Sequence, residues 1–345
     1  MNRPNFSSCL LYGIFVISII SAMTAASAAE EWSVEGKLLG KNDKKAEDIS
    51  GIACSGALGY PRACLIIDDE TQFAQWVTMP ERGKMVAGDI LPLIDDEFDG
   101  KAVELDGEGA AYADGSFFVI GSFGSARNAD GSLDDEGAAR LKADSHAFRI
   151  TPFAEGVSVT DSNALRSVIL ADADLRPFAD ELLARNGLTI EGVAVIADAA
   201  YVGFRGPVLE ADQGAVLLEL PTVKLFGDLA GVAEAHVLPL GPGRGVRDLS
   251  PIGEELLILA GPVFDTDIGD AAPNAYSLYR WDPRSAENLT RVLDIPSFTH
   301  GSDQTPDKPE AILPLDLANG ELSVLILFDG PDEGAPRAFA FPWAE

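Results

Sequence analysis

The chain has 345 residues and a formal net charge of −30, because 55 acidic residues outnumber 25 basic ones. Nucleic acid and anionic membranes both repel such a charge, so they are excluded as partners, whereas hard cations are favoured unless the acids serve solubility alone. With 47% hydrophobic and only 23% charged residues, the chain is too apolar to be disordered.

The first residues have the pattern of a signal peptide. Arg3 supplies a positive charge, Leu10–Met23 is mostly apolar, and Ala26–Ser27–Ala28 offers a cleavage site. A retained membrane anchor is the alternative, but the apolar run is short for crossing a bilayer. We therefore predict that residues 1–28 are removed, and that the mature chain is periplasmic or secreted and has no membrane contact.

Two cysteines, Cys54 and Cys64, remain in the mature chain. An even number of cysteines in an exported chain indicates a disulfide. A redox or metal role would need closer Cys spacing or a nearby His. We therefore predict a disulfide that closes the Gly-rich loop between them.

One sequence pattern recurs along the chain. Its fullest copy is TIEGVAVIADAAYVGFRGP, from Thr189 to Pro207, in which two apolar runs flank a turn at Asp198. The other copies begin near Asp48, Asp106, Arg247 and Lys308. Two further strand-like runs follow most copies, so each repeat predicts four short strands. Such self-similarity is typical of a β-propeller.

The number of strands decides the number of blades. The first four repeats offer four strands each, but the fifth offers only three, the last ending at Trp343. An orphan strand, Trp32–Gly40, can supply the missing one, which removes an exposed sheet edge. We predict an all-β fold in which residues 29–345 form one propeller domain of five four-stranded blades, closed by this N-terminal strand. Six blades is the alternative, if the long interval before Thr189 hides a further unit.

That long interval also contains the predicted helical segments. Within a polar insertion, Asp134–Lys142 suits one or two helical turns. Strands are predicted at His146–Phe153 and Gly156–Leu170. The segment Asp174–Gly187 predicts a helix, because a proline falls in its first turn and a glycine ends it.

The motifs DISGIAC, CLIIDDE, GEGAAYADGSFFVIGSFG, IEGVAVIADAAYVGFRGP and LLILAGP together resemble those of a bacterial exported family that is catalogued as a domain of unknown function. The resemblance covers most of the mature chain and implies no particular activity. The opening of an acid, a glycine, an apolar residue and an alanine is also similar to that of phytase-like and esterase-like propellers. Calcium-dependent nucleotidases are similar in having acidic residues at the centre of a five-bladed ring. Such likenesses concern the fold and not the function.

The acid at the start of each repeat is the main candidate for chemistry. The first strand of a propeller blade lines the central channel, so the aligned positions should converge there: Ser50, Glu108, Glu191, Asp248 and Glu310. The four carboxylates predict a cation site, and calcium, which prefers six to eight oxygen ligands, suits it. Alternatively, each acid caps the glycine turn of its own hairpin.

Basic residues accompany these acids. Arg205, Arg247 and Lys308 are predicted to bind a small anionic ligand beside the cation, since guanidinium groups engage phosphate or carboxylate in bidentate fashion. Internal pairing of Arg205 and Arg247 with the acids is the alternative.

Two functional hypotheses follow. One is a calcium-assisted phosphoester or ester hydrolase, with Glu191, Arg205 and His300 as candidate catalytic residues. The other is a non-catalytic propeller that binds a ligand or protein over the channel mouth. We expect a monomer in either case. His146 and His236 are predicted to pack at the surface and not to act as ligands.

Two acidic loops resemble calcium loops only faintly: Asn128, Asp130 and Asp134 in one, and Asp265, Asp267 and Asp270 in the other. Neither has the ordered glycine and terminal glutamate of the twelve-residue calcium-binding pattern. We therefore interpret both as solvated loops.

Overall fold

The computed structural model describes residues 29–56, 58–209, 214–228, 231–264, 275–285 and 288–343. The predicted signal peptide and the loop with Asp265, Asp267 and Asp270 lie outside the described residues. None of the helices in the described ranges has the length and apolar character needed to cross a membrane.

Five sheets form the blades, each built on four antiparallel strands, and the sheet of blade 1 has a fifth, parallel strand from the N-terminal segment. Blade 1 contains Ile49–Cys54, Arg62–Asp68, Phe73–Met79 and Lys84–Pro92. Blade 2 contains Gly107–Ala113, Ser116–Gly121, Ala147–Phe153 and Gly156–Ser162. Blade 3 contains Thr189–Ile196, Ala199–Leu209, Gly214–Pro221 and Glu234–Pro239. Blade 4 contains Arg244–Ile252, Glu255–Pro262, Ser277–Trp281 and Leu289–Asp294. Blade 5 contains Lys308–Ala318, Glu321–Asp329, Arg337–Pro342 and Glu30–Glu31.

The first strand of each blade contacts the first strand of the next, and that of blade 5 contacts that of blade 1. This ring of inner strands surrounds the central channel and confirms the prediction of five blades. Large apolar side chains fill the spaces between neighbouring sheets, among them Phe148, Phe204 and Trp281, all less than 2% exposed.

The N-terminal segment closes the last blade, as predicted, but the closing strand is Glu30–Glu31 and not the predicted Trp32–Gly40. Glu30–Glu31 pairs antiparallel with Arg337–Pro342 as the outermost strand of blade 5. Ser33–Glu35 pairs parallel with Lys84–Pro92 in blade 1. The segment therefore joins the first and last blades at their outer edges and covers both.

The glycine after the acid has a packing role in blades 2 and 3. A Cβ atom at Gly109 would lie 2.8 Å from the backbone nitrogen of Val193, and one at Gly192 would lie 2.9 Å from that of Leu249. Neighbouring inner strands approach so closely here that a side chain would separate the blades.

Two α-helices and five short 3-10 helices complete the described elements. The α-helices are Asp135–Asp144, where a helix was predicted, and Ala164–Ala171, in a stretch predicted as strand. The 3-10 helices are Lys41–Asp43, Arg176–Phe178, Leu183–Arg185, Thr222–Phe226 and Asp332–Gly334. Two small hairpins pair Glu97–Phe98 with Lys101–Ala102, and Thr299–His300 with Thr305–Pro306. The single helix predicted at Asp174–Gly187 is wrong: only two 3-10 turns form there, because Leu175 and Ala179 are buried as anchors for a compact loop.

The disulfide predicted between Cys54 and Cys64 is present and joins the first two strands of blade 1. These residues are direct cross-strand partners, with Cα atoms 3.9 Å apart. The bond lies at the far end of the inner strand from the acid position.

Candidate functional site

A cavity of about 330 Å³ opens at the end of the channel where the inner strands begin. Among the described residues, nine carboxylates, three basic side chains and one serine line it: Asp48, Asp69, Glu70, Glu104, Asp106, Glu108, Glu191, Glu310, Asp329, Arg205, Arg247, Lys308 and Ser50. The start of a first strand and the end of a second strand are neighbours in an antiparallel hairpin. Each blade can therefore present residues from both.

The acid position of each repeat coincides with an irregularity in strand pairing. The residues that the register skips in blades 1, 2, 3 and 5 are Ser50, Glu108, Glu191 and Glu310. In blade 4 the skipped residue is Arg247, because Val246 pairs with Ala260 and Asp248 pairs with Leu259. A bulged residue turns out of the regular ladder. All five skipped residues line the cavity.

The register therefore corrects the sequence alignment in blade 4, where Arg247 and not Asp248 occupies the acid position. The Asp248 carboxylate accepts hydrogen bonds from the backbone nitrogens of Leu249 and Ile312, each at 2.7 Å. Burial raises its pKa, although these two hydrogen bonds oppose the shift. Asp248 thus links blades 4 and 5 by accepting from a backbone N–H group of each. This role resembles the backbone capping that was the alternative prediction for the acids.

A second set of equivalent positions lies at or near the end of the part of each second strand that pairs with the first strand. Each position follows the residue that pairs opposite the residue before the bulge. Asp68, Gly121, Phe204 and Phe328 pair opposite the residue that precedes the bulge in blades 1, 2, 3 and 5. The residues that follow them are Asp69, Ser122, Arg205 and Asp329. One blade thus presents an arginine to the channel, two present an aspartate, and blade 2 has a serine.

In blades 3, 4 and 5 the arginines neutralise the acids, and we call Glu191, Arg205, Arg247 and Glu310 the paired half. Arg205 Nη1 lies 3.2 Å from Glu191 Oε1, and Arg247 Nε lies 3.6 Å from Glu191 Oε2. Arg247 Nε donates to Glu310 Oε2 at 2.8 Å, and Arg247 Nη2 donates to the other oxygen. Burial raises the pKa of Glu310 to about 7, while Arg247 opposes that shift.

On the side of blades 1 and 2, three acids have no ion pair with a basic side chain in the described ranges, and we call Asp69, Asp106 and Glu108 the unpaired half. Their carboxylate oxygens lie within 4.8 Å of one another. The hydroxyl of Ser122 donates to Asp106. Glu108 is only 9% exposed, and within the described ranges neither its carboxylate nor that of Asp69 accepts a hydrogen bond or forms an ion pair.

Burial and mutual repulsion in the unpaired half favour neutralisation of its three carboxylates. Burial raises the pKa of Asp69 to about 10, and the neighbouring carboxylate of Asp106 adds to the shift. Burial likewise raises the pKa of Asp106 and of Glu108, with a further contribution from Glu191. Like charges held together in this way either take up protons or bind a cation.

The rim of the cavity carries two further groups of ion pairs. Lys308 Nζ lies 2.7 Å from Asp329 Oδ2. Lys41, from the N-terminal segment, contacts both Glu70, at 3.2 Å, and Glu104. Burial and the charge of Asp329 raise the pKa of the half-buried Asp48 to about 6.

The histidines lie outside the cavity lining. His300 Nδ1 lies 2.8 Å from Asp307 Oδ1, and Asp307 in turn contacts Arg337. His236 pairs with Glu219 at 2.9 Å and packs on Trp281. His146 stacks on Phe148.

The loop with Asn128, Asp130 and Asp134 satisfies its own polar groups. Asp130 Oδ1 accepts from the backbone of Ser132, and Asp134 caps the helix Asp135–Asp144 by accepting from Gly137 N at 2.8 Å. Asn128 donates to Asp134 at 3.1 Å. These contacts agree with a solvated loop.

Of the four predicted metal ligands, the structure places Glu108 in the unpaired half, Glu191 and Glu310 in the paired half, and Asp248 outside the cavity lining. Asp69 and Asp106 were not among the predicted ligands, although both belong to the recurring motifs. The sequence feature that could have identified them is an acid directly after the second strand of blade 1, Asp69, together with an acid directly before the first strand of blade 2, Asp106. Metal binding by the four predicted ligands stays a prediction.

A family model described as "Protein of unknown function (DUF3616)" matches residues 139–338. No curated protein matched the sequence. Among solved structures, an exo-β-1,3-galactanase from Phanerochaete chrysosporium is 12% identical with a TM-score of 0.45 over 90% of this chain and 63% of its own. A GH43 β-1,3-galactosidase is 11% identical with a TM-score of 0.44 over 87% of this chain and 93% of its own. A xylan β-1,4-xylosidase from Bacillus halodurans is 12% identical with a TM-score of 0.45 over 91% of this chain and 55% of its own. This chain therefore spans less than two thirds of the galactanase and the xylosidase, and the likenesses carry no information about activity.

Proposed function

The chain belongs to the DUF3616 family, in agreement with the resemblance of its motifs, and we propose that it is an exported calcium-binding propeller. The cation is held by Asp69, Asp106 and Glu108 at the blade 1 and blade 2 side of the channel. One observation carries the proposal: three carboxylates lie within 4.8 Å of one another, and the hydroxyl of Ser122 is their hydrogen-bond donor in the described ranges.

The chemistry of the cavity favours a hard cation. Its lining offers oxygen ligands from carboxylates, and neither histidine nor cysteine belongs to it. Calcium accepts six to eight oxygens with flexible geometry, whereas zinc prefers nitrogen and sulfur and magnesium demands an octahedron. Water and the nearby Asp48 carboxylate can complete the coordination of calcium.

The charge balance favours a cation over an anion as the first ligand. Nine carboxylates face three basic groups in the lining, and Arg205, Arg247 and Lys308 each have an acidic partner. A small anionic ligand would therefore bind only after a cation has reduced the negative charge. This internal pairing also supports the non-catalytic binding propeller over the calcium-assisted hydrolase.

Calcium titration by calorimetry, on protein first treated with a chelator, tests the proposal. The wild type should bind calcium more tightly than magnesium or zinc, and its melting temperature should rise on addition. The Glu108→Gln variant should lose at least about tenfold in affinity, because ligand charge sets the affinity of calcium sites.

Glu254→Gln is the matched control. It removes the same charge from a side chain that is 79% exposed and paired only with Arg284 at the surface. Its calcium affinity should equal that of the wild type. Absence of both binding heat and a thermal shift in the wild type would overturn the proposal.

A further inference from the structure

Lys41 contacts the cavity lining next to the unpaired half. Its ammonium group contacts the carboxylates of Glu70 and Glu104, and both of these line the cavity. We propose that Lys41 sets the affinity and the access of the calcium site, as a resident positive charge that an incoming cation must displace. The inference rests on the proposed function.

The two partners of Lys41 are close in sequence to the proposed ligands. Glu70 directly follows Asp69, and Glu104 precedes Asp106 by two residues. By bridging Glu70 and Glu104, Lys41 joins the end of a blade 1 strand to the segment that enters blade 2. A cation that approaches the site from this side must pass its positive charge.

Lys41 is carried by a firmly anchored hairpin, residues 38–46, which we call the Lys41 hairpin. The hairpin is closed at its base by a hydrogen bond from Ala46 N to Leu38 O at 2.9 Å, and both residues are 1% exposed. The amide oxygen of Gln75 accepts from Leu39 N at 2.8 Å. The base is therefore fixed in the protein, while the tip projects into solvent.

The contacts made by the tip are exposed and weak. The side chains of Lys41, Glu70 and Glu104 are 45%, 41% and 46% exposed. Ion pairs of this exposure contribute about 0–1 kcal/mol each, and exposed side chains change rotamer within nanoseconds. Lys41 can therefore swing away without unfolding the hairpin and let a cation enter, and its return to Glu70 and Glu104 opposes the bound cation.

Replacing the charge tests the inference. The Lys41→Met variant should bind calcium about tenfold more tightly than the wild type and with a faster association rate, because one positive charge near a divalent ion has been removed. Calorimetry gives the affinity and stopped-flow measurements give the rate. A merely structural role would leave the affinity unchanged or lower it.

Two matched variants complete the design. Lys44→Met removes the same charge from an exposed position of the Lys41 hairpin that forms no ion pair with Glu70 or Glu104, and Lys41→Arg keeps the charge in place. Both should stay within about twofold of the wild type. If Lys41→Met unfolds in a thermal melt, Lys41→Gln replaces it.

The outcomes separate the two proposals. A wild type that binds no calcium overturns the proposed function, and the inference falls with it. A wild type that binds calcium, with Lys41→Met equal to or weaker than Lys44→Met, overturns only the role of Lys41.

Discussion

The two halves of the channel begin from one sequence motif and reach opposite electrostatic states. In the paired half, Glu191 and Glu310 share the guanidinium of Arg247, which is 3% exposed. In the unpaired half, Glu108 occupies the same bulge position but faces Asp69 and Asp106. The difference arises at two places. The equivalent second-strand position is Arg205 in blade 3 but Ser122 in blade 2 and Asp69 in blade 1, and the bulge position of blade 4 is Arg247 instead of an acid.

Blade 4 shows how the paired half is built. Its bulged residue is Arg247, and the neighbouring Gly261 leaves room for it, since a Cβ atom there would lie 2.9 Å from Arg247 Cγ. One arginine thus takes the place of a ring acid and neutralises the acids on both sides. The same repeat therefore forms ion pairs that stabilise the fold in the paired half, whereas it leaves candidate metal ligands in the unpaired half.

Removing the arginine of the paired half should have the largest effect. Arg247→Met leaves Glu310 buried without its partner, and we expect a loss of about 3–5 kcal/mol in the free energy of unfolding. Urea denaturation in the presence of a chelator measures it. Arg284→Met, at a side chain 69% exposed, is the control, and equal stability of the two variants would contradict the comparison.

The unpaired half should make the calcium-free protein less stable as pH rises. The pKa of Asp69 is raised to about 10, so the folded state holds a proton that the unfolded state releases near pH 4. Stability should therefore fall by about 1.4 kcal/mol per pH unit for each such proton.

Urea denaturation between about pH 6 and pH 8 checks this slope. Calcium should flatten it, because the cation replaces the protons. A slope that calcium leaves unchanged would show that the excess protons belong to other groups.

Asp248→Asn should separate a structural acid from a ligand. The variant replaces one of the two carboxylate oxygens that accept from buried backbone N–H groups with an NH2 group. The free energy of unfolding should therefore fall by about 2 kcal/mol. Its calcium affinity should match that of the wild type, as measured by calorimetry. A large loss of affinity would instead restore Asp248 as a metal ligand.

Glu108→Gln should have the smallest effect on stability, and of the opposite sign. Without calcium, removing one of three crowded carboxylates should raise the free energy of unfolding by about 1 kcal/mol, because burial and repulsion penalise its charge. Glu191→Gln, in the paired half, should lower it. The same direction of change in both variants would remove the distinction between the halves.

Much of the fold was predictable because strands and turns are encoded locally. Alternating apolar runs predicted the four strands of each repeat, and the missing strand of blade 5 predicted closure by the N-terminal segment. The prediction of a strand over Gly156–Leu170 was correct only for its first half, Gly156–Ser162. The apolar end of this stretch, Ala164–Ala171, packs as a helix with Leu165 and Ile169 buried, and strand and helix periodicity are hard to tell apart over so few residues.

The site was predictable only as a collection of residue types. The acid positions of blades 2, 3 and 5 do line one cavity, together with Arg205, Arg247 and Lys308. A one-residue shift of register nevertheless exchanged Asp248 for Arg247. Such a shift reverses which side chain faces the channel, and it leaves no mark in the sequence pattern.

The sequence by itself thus determined the repeat, the five blades, the disulfide and the acidic character of the channel, since these depend on local periodicity and composition. Only the tertiary structure decided which acids are neutralised. Arg247 and Glu310 are 63 residues apart, and charges at such separations meet only when neighbouring blades pack against each other. The pKa of a buried carboxylate depends on the charged groups that the fold brings within a few ångströms, and these groups need not be its neighbours in the sequence.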